Sequence, residues 1–209
     1  MSDRRTQILD AAARLMDEHG FRRTSVEEVI VAAGLAGKAH FYHYFRSKQE
    51  LGYAVLERQF ERFAERGLAI LREPMIAPLD RLHLFVDSLV ALQVAEGGRQ
   101  GSPFGRLAGE LGDADEGFRE RLAHVFARWT GAIERLLEEL RGQFAPGTDP
   151  VRLSRFVVAT LEGAVMLARV GRDVGMLPGI AADLKRFVAL HLRDPSAVAR
   201  EAHGVTAGA

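Results

Sequence analysis

Nearly every long stretch of this chain places apolar side chains three or four residues apart, and no convincing alternating run interrupts that pattern. Such a chain buries its apolar surface by packing helix on helix, which predicts an all-α fold. Ile8, Ala12, Leu15 and Met16 line a first stripe, about residues 3–19. It stops at Gly20, with Phe21 placed to pack back on Met16 in a Schellman closure. A second helix opens at Thr24-Ser25, each three residues ahead of a glutamate (Glu27, Glu28), the capping-box spacing. It buries Val26, Val29, Ile30 and Ala33 and ends at Gly34. A short third helix covers about residues 38–44. A fourth starts at Ser47, with Glu50 as capping partner, and runs through Leu51, Val55, Phe60 and Phe63 to about Leu71.

Pro74 and Pro78 break the chain before a helix over 79–95 with Leu82, Phe85, Val86, Leu89 and Leu92 inward. After the glycine-rich loop 97–101, Ser102-Pro103 reads as an N-cap with proline at N1, opening a short helix to Leu111. The strongest amphipathic pattern runs from Phe118 through Val125, Trp129 and Ile133 to Leu140. Residues 151–170 are apolar on most of their circumference and need cover on two sides; a last helix spans 180–192. The expectation is about nine helices, three short ones at the N-terminus and a larger bundle after them. The domains are then 1–47, 48–193 and a flexible tail over 194–209. Cysteine is absent, which excludes disulfides, thiolate metal sites and thiol nucleophiles. No secretion leader or membrane span is visible, so the expected location is cytoplasmic, with no membrane partner.

Three short helices, the second and third joined by a glycine-containing turn, match the helix-turn-helix arrangement. On the third helix Phe41, Tyr44 and Phe45 turn toward Ile8, Leu15, Val29 and Ile30. Small, aromatic and imidazole side chains face the other way: Ala39, Tyr42 and His43, with Lys38 and His40 at the edges. Such a face suits a DNA major groove, where an alanine can meet a thymine methyl. The same geometry reads equally as a compact helical cap with solvated outer residues. Lys48 shifts the balance. At N1 of the fourth helix the dipole disfavours a cation by about 0.3–1 kcal/mol, unless an anion binds there. Arg22, Arg23 and Thr24 crowd the start of the second helix in the same way, and Arg46 neighbours Lys48. These form two phosphate clamps bracketing the third helix. With 28 basic and 28 acidic side chains, a polyanion has to be met by such a local cluster.

Three segments carry a resemblance to a known family: Phe21-Arg22-Arg23-Thr24-Ser25-Val26, Ala32-Ala33-Gly34-Leu35, and Phe41-Tyr42-His43-Tyr44-Phe45-Arg46-Ser47-Lys48-Gln49-Glu50-Leu51. In order and spacing they resemble the DNA-binding signature of tetracycline-repressor (TetR) family regulators. The resemblance implies a homodimer with an N-terminal DNA-binding domain and a C-terminal ligand-binding and dimerisation domain. It puts Thr24, Tyr42 and Lys48 at phosphates and residues 38–43 at base edges. One residue more than the usual family turn separates Gly34 from Phe41, which leaves the register of the base readers open by one position. The stretch from Gly101 to Leu111, with Phe118-Arg119 and Trp129, resembles the C-terminal domain of one branch of the family. Several members of that branch carry cysteine where Ser102 stands, so thiol sensing cannot operate here.

The expected function is therefore a ligand-responsive transcriptional regulator, a repressor released from a palindromic double-stranded operator by a small-molecule inducer. Arg22, Arg23, Thr24, Tyr42 and Lys48 would hold phosphates, and Ala39, His40 and His43 would read bases beside Lys38. Phe85, Leu89, Phe104, Leu107, Phe126, Trp129 and Phe156 are the candidate ligand-pocket residues, the competing use of such aromatics being a filled core. The excess apolar surface of the last two helices predicts an isologous dimer through Phe156, Leu161, Val165, Phe187 and Leu190. No cofactor or metal is expected: His40 and His43 lack a third ligand on their helix. No acid/base pair or serine triad supports an enzyme. The alternative is an all-helical ligand-binding or interaction protein that has lost DNA binding.

Overall fold

The computed structural model describes residues 3–99 and 101–193, and the tail expected at 194–209 lies outside them. The described residues form nine α-helices: α1 (Arg4–His19), α2 (Val26–Ala32), α3 (Lys38–Tyr42), α4 (Lys48–Phe63), α5 (Pro78–Ala95), α6 (Pro103–Leu111), α7 (Glu116–Glu139), α8 (Pro150–Gly171) and α9 (Leu177–Ala189). Among these residues there is no strand, only an isolated bridge between Phe144 and Leu192. The chain divides into two compact units, Met1–Arg66 with Gln100–Ala127, and Gly67–Arg99 with Arg128–Ala209. The contacts therefore follow another line than the motif boundary after residue 47, and α6 with the first half of α7 goes with the N-terminal helices.

The first unit closes around Ile8, Leu9, Ala12, Met16, Val29, Ile30, Phe41, Phe45, Leu51 and Val55. Its helix starts follow local chemistry. The Ser25 hydroxyl accepts from Glu28 N–H while the Glu28 carboxylate accepts from Ser25 N–H, a complete capping box. Ser47 caps α4 and Ser102 caps α6 in the same single-ended way. Phe60 and Phe63 meet Phe104 edge-on at 5.9 and 5.7 Å, and Phe21 and Tyr53 meet Phe118 at 5.0 and 4.6 Å. Gly52 lets the Phe21 and Phe118 rings approach α4.

In the second unit α5 packs on α9 and α8 on α9. Phe85, Ile133, Leu136, Leu137, Val157 and Val188 are almost fully buried. Arg81 is buried among them, donating to both carboxylate oxygens of Glu139 and to Leu71 O. These bonds satisfy its two terminal nitrogens, while Nε is buried with no hydrogen-bond partner among the described residues. Lys185 on α9 donates to Asp87 on α5 at 2.7 Å.

Four local expectations are corrected. The Schellman closure after α1 does not form: Gly20 N–H bonds Met16 O, but Phe21 N–H goes to the Glu110 carboxylate. The third helix is shorter than 38–44, with His43 and Tyr44 in a turn. The fourth is not one α-helix to Leu71: it ends at Phe63, continues as a π-helical turn (Ala64–Leu68), then as a 3₁₀ turn (Ile70–Arg72). On α5 Leu92 is exposed and Gln93 is buried.

A Cβ on Gly52 would lie 2.7 Å from Phe118 Cζ and nearer still to the Phe21 ring. Gly52→Ala should therefore destabilise the protein by about 1–3 kcal/mol despite its better helix propensity. Thermal unfolding followed by circular dichroism checks this, and an unchanged or raised midpoint contradicts it.

Candidate nucleic-acid interface

The turn before α3 is made by Gly34, at φ 61°, a left-handed conformation that glycine adopts without strain. Phe41 and Phe45 then sink into the first unit's core, and Tyr44 is half-buried against it. This leaves Lys38, Ala39, Tyr42 and His43 exposed on the far side, with His40 half-buried. Aromatic contacts brace that face from behind: Tyr42 lies edge-on to Phe41 at 5.3 Å and His43 edge-on to Tyr44 at 4.9 Å. The outward set expected from the helical wheel is thus outward in the structure. Lys38 Nζ pairs with Glu27 at 2.6 Å, which raises the Lys38 pKa and lowers that of Glu27. Both groups are solvent-exposed, so the pair contributes little to stability.

The cations flank this helix. Arg22 and Arg23 are exposed in the turn leading to α2, and Arg46 just ahead of α4. None of the three guanidinium groups has a partner among the described residues. The Arg46 backbone N–H donates to Glu50 at 2.7 Å, which fixes the entry into α4. Lys48 occupies N1 of α4, as its place after Ser47 predicts. Its ammonium folds back to donate to Arg22 O at 3.0 Å and lies 4.6 Å from the centre of the Phe21 ring. Partial burial pushes its pKa down, against the nearby Glu110 and Glu28 carboxylates, which favour the charged form. Thr24, expected at a phosphate, is buried, and its hydroxyl donates to Gly20 O at 2.8 Å. The side chain faces the protein and shapes the turn that carries Arg22 and Arg23.

Two groups that matter to this surface were not singled out from the sequence. Glu110, on α6, accepts from Phe21 N–H at 3.0 Å and Arg22 N–H at 2.6 Å. Arg106, one turn earlier, donates to Asp17 Oδ1 at 2.7 Å, to Met16 O at 3.2 Å and to Asp17 O. Burial raises the Asp17 pKa and the Arg106 charge opposes that rise. The available signal was an arginine and a glutamate four apart on a short helix, which says that they share a face but not what they meet.

The other candidate residues divide between the units. Phe104 and Leu107 are buried and Phe126 half-buried in the first; Phe85 and Trp129 are buried and Leu89 half-buried in the second. Phe156 stands 42% exposed, its ring 4.4 Å from that of Phe187, so it lies on the outer α8/α9 face. Phe187 and Leu190 are exposed there too, joined by Met166, Leu167 and Val170. Leu161 is buried within its own chain and Val165 is half-buried. No helix among the described residues is long and apolar enough to cross a membrane.

Residues 8–55 match the family described as "Bacterial regulatory proteins, tetR family". Residues 78–179 match "Tetracyclin repressor-like, C-terminal domain". The transcriptional regulator AcuR of Cereibacter sphaeroides is 30% identical over 164 residues, 78% of this chain and 74% of that protein. The transcriptional repressor NemR of Escherichia coli is 26% identical over 191 residues, 90% and 94% of the two chains. A TetR transcriptional regulator from Chloroflexus aurantiacus has a similar structure, with a TM-score of 0.79 at 28% identity, covering 90% of this chain and 96% of its own.

The two lysines beside this surface should titrate in opposite directions from an ordinary lysine. Lys48, held down by burial, loses its proton at lower pH than Lys38, held up by Glu27. Reductive ¹³C-methylation with a pH series by NMR checks the order, and coincident or reversed titrations contradict it. In denaturant the difference should vanish.

Proposed function

The chain belongs to the TetR family of bacterial regulatory proteins, with a DNA-binding N-terminal region and a ligand-binding C-terminal domain, and we propose that it works as a dimeric repressor released from its operator by a small molecule. The observation that carries this reading is the outward face of α3, flanked by the guanidinium groups of Arg22 and Arg23, unpaired among the described residues, and by Lys48. α3 enters a major groove. Ala39, His40 and His43, with Lys38 at the edge, meet base edges, and Tyr42, Arg22, Arg23 and Lys48 hold the phosphates on either side. Thr24 supports the Arg22–Arg23 turn from within. Because the total charge is zero, this small surface supplies the electrostatic attraction locally.

The dimer forms through α8 and α9. Phe156, Thr160, Gly163, Leu167 and Val170 repeat at helical spacing on α8 and, with Phe187 and Leu190 of α9, leave an apolar strip beside small residues. A two-fold axis pairs that strip with its own copy. The two α3 helices then reach successive major grooves, about 34–36 Å apart, so the operator is an inverted repeat. A small molecule bound by the C-terminal domain favours conformers that no longer match this spacing. Its leverage is limited by the difference in its affinity for the two conformers.

Fluorescence anisotropy on a mixed-sequence duplex tests the phosphate contacts. Lys48→Ala and Arg22→Ala should each weaken binding and lower the log–log salt slope by about one. Unchanged slopes in both variants contradict the assignment. Separately, Phe187→Glu should convert the dimer to monomer in sedimentation velocity, and a dimer that persists rules out this interface.

A further inference from the structure

Where α1 ends and the chain turns toward α2, the backbone carries two kinds of unsatisfied group: carbonyls at the end of α1 and N–H groups just beyond it. α6 presents an opposite charge to each. The Arg106 guanidinium sits on the carbonyls of Met16 and Asp17, the negative end of α1, and on the Asp17 carboxylate. Four residues on, and so on the same face of α6, Glu110 takes the N–H groups of Phe21 and Arg22, one on each oxygen. Gly20 makes the approach possible, since a Cβ there would lie 3.0 Å from Glu110 Oε2. The opposite side of the same turn is what Lys48 touches: its ammonium donates to the Arg22 carbonyl and rests over the Phe21 ring.

We propose that Glu110, supported by Arg106, is a positioning residue for DNA binding: it holds the Phe21–Arg22 turn so that Arg22 and Lys48 present their charges together to the phosphate backbone. The inference rests on the DNA-binding reading above and names the device that sets its geometry. It makes a prediction opposite in sign to that of charge alone. Glu110 is an anion near Lys48, so removing its charge should strengthen attraction for DNA if only the field matters. If Glu110 positions the turn, removing it weakens binding, because glutamine offers one acceptor oxygen to two N–H donors and turns its own N–H₂ toward the second.

The test uses the full chain and a mixed-sequence DNA duplex at low ionic strength, with circular dichroism confirming that each variant is folded at the assay temperature. Glu110→Gln should bind about tenfold more weakly than the unaltered protein, the order expected for losing a charge-assisted hydrogen bond. Arg106→Lys, which keeps the charge but loses the planar fork, should also weaken binding, and it carries the test should Glu110→Gln fail to fold. In a Lys48→Ala background part of the Glu110→Gln loss should disappear, since Glu110 acts through Lys48 as well as through Arg22. Binding by folded Glu110→Gln that equals or exceeds that of the unaltered protein overturns the proposal, and so does a loss that persists in full without Lys48. If the unaltered protein itself binds no duplex, the DNA-binding reading falls and this inference with it.

Discussion

The peptide groups between His19 and Ser25 must be satisfied while the chain leaves one helix and enters the next, and most of the candidate surface depends on how this is done. A five-residue turn can satisfy few of them alone. Gly20 N–H returns to Met16 O, the Thr24 hydroxyl takes Gly20 O, and Ser25 with Glu28 closes the start of α2. From far along the chain, Glu110 takes the Phe21 and Arg22 N–H groups, Arg106 holds the α1 carbonyls just before the turn, and Lys48 donates to Arg22 O across it. The turn is therefore gripped from three directions, and the guanidinium groups of Arg22 and Arg23 project from it.

On the proposed reading, this arrangement lets a chain of zero net charge address a polyanion. Lys48 stands where the α4 dipole disfavours it, but the Arg22 carbonyl and the Phe21 ring face offset that cost. The ammonium is thereby kept partly buried and in one place. The Lys38–Glu27 pair shows the contrast: both groups are fully solvated, and their attraction is screened. Placement, more than the number of positive charges, gives the surface its character.

What the sequence made legible is what is local or periodic. Ser25 with Glu28, Ser47 and Ser102 announced three helix starts because a cap needs only its neighbours. The inward and outward faces of α3 followed from a wheel, as did the buried stripe from Phe118 to Leu140. Failures came where distant residues decided. Phe21 N–H turns away from a Schellman bond because Glu110, 89 residues later, offers it a carboxylate. Leu92 lies at the rim of the α5 stripe, about 80° from Leu82 on the wheel, whereas Gln93 falls near its centre. Nothing in the apolar spacing around Phe60 and Phe63 signals that α4 changes its hydrogen-bond pattern at Ala64. The exposed cations of the candidate surface could be named from their positions at helix starts, but the inward turn of Thr24 could not.

The most direct test of the central claim, that cations mounted at the starts of α2 and α4 grip a DNA duplex, is selection by the purified protein from a randomised duplex pool at low ionic strength. The account predicts recovery of duplexes sharing an inverted repeat, with retention that falls steeply as salt is raised. Failure to retain any duplex even in dilute buffer would contradict it.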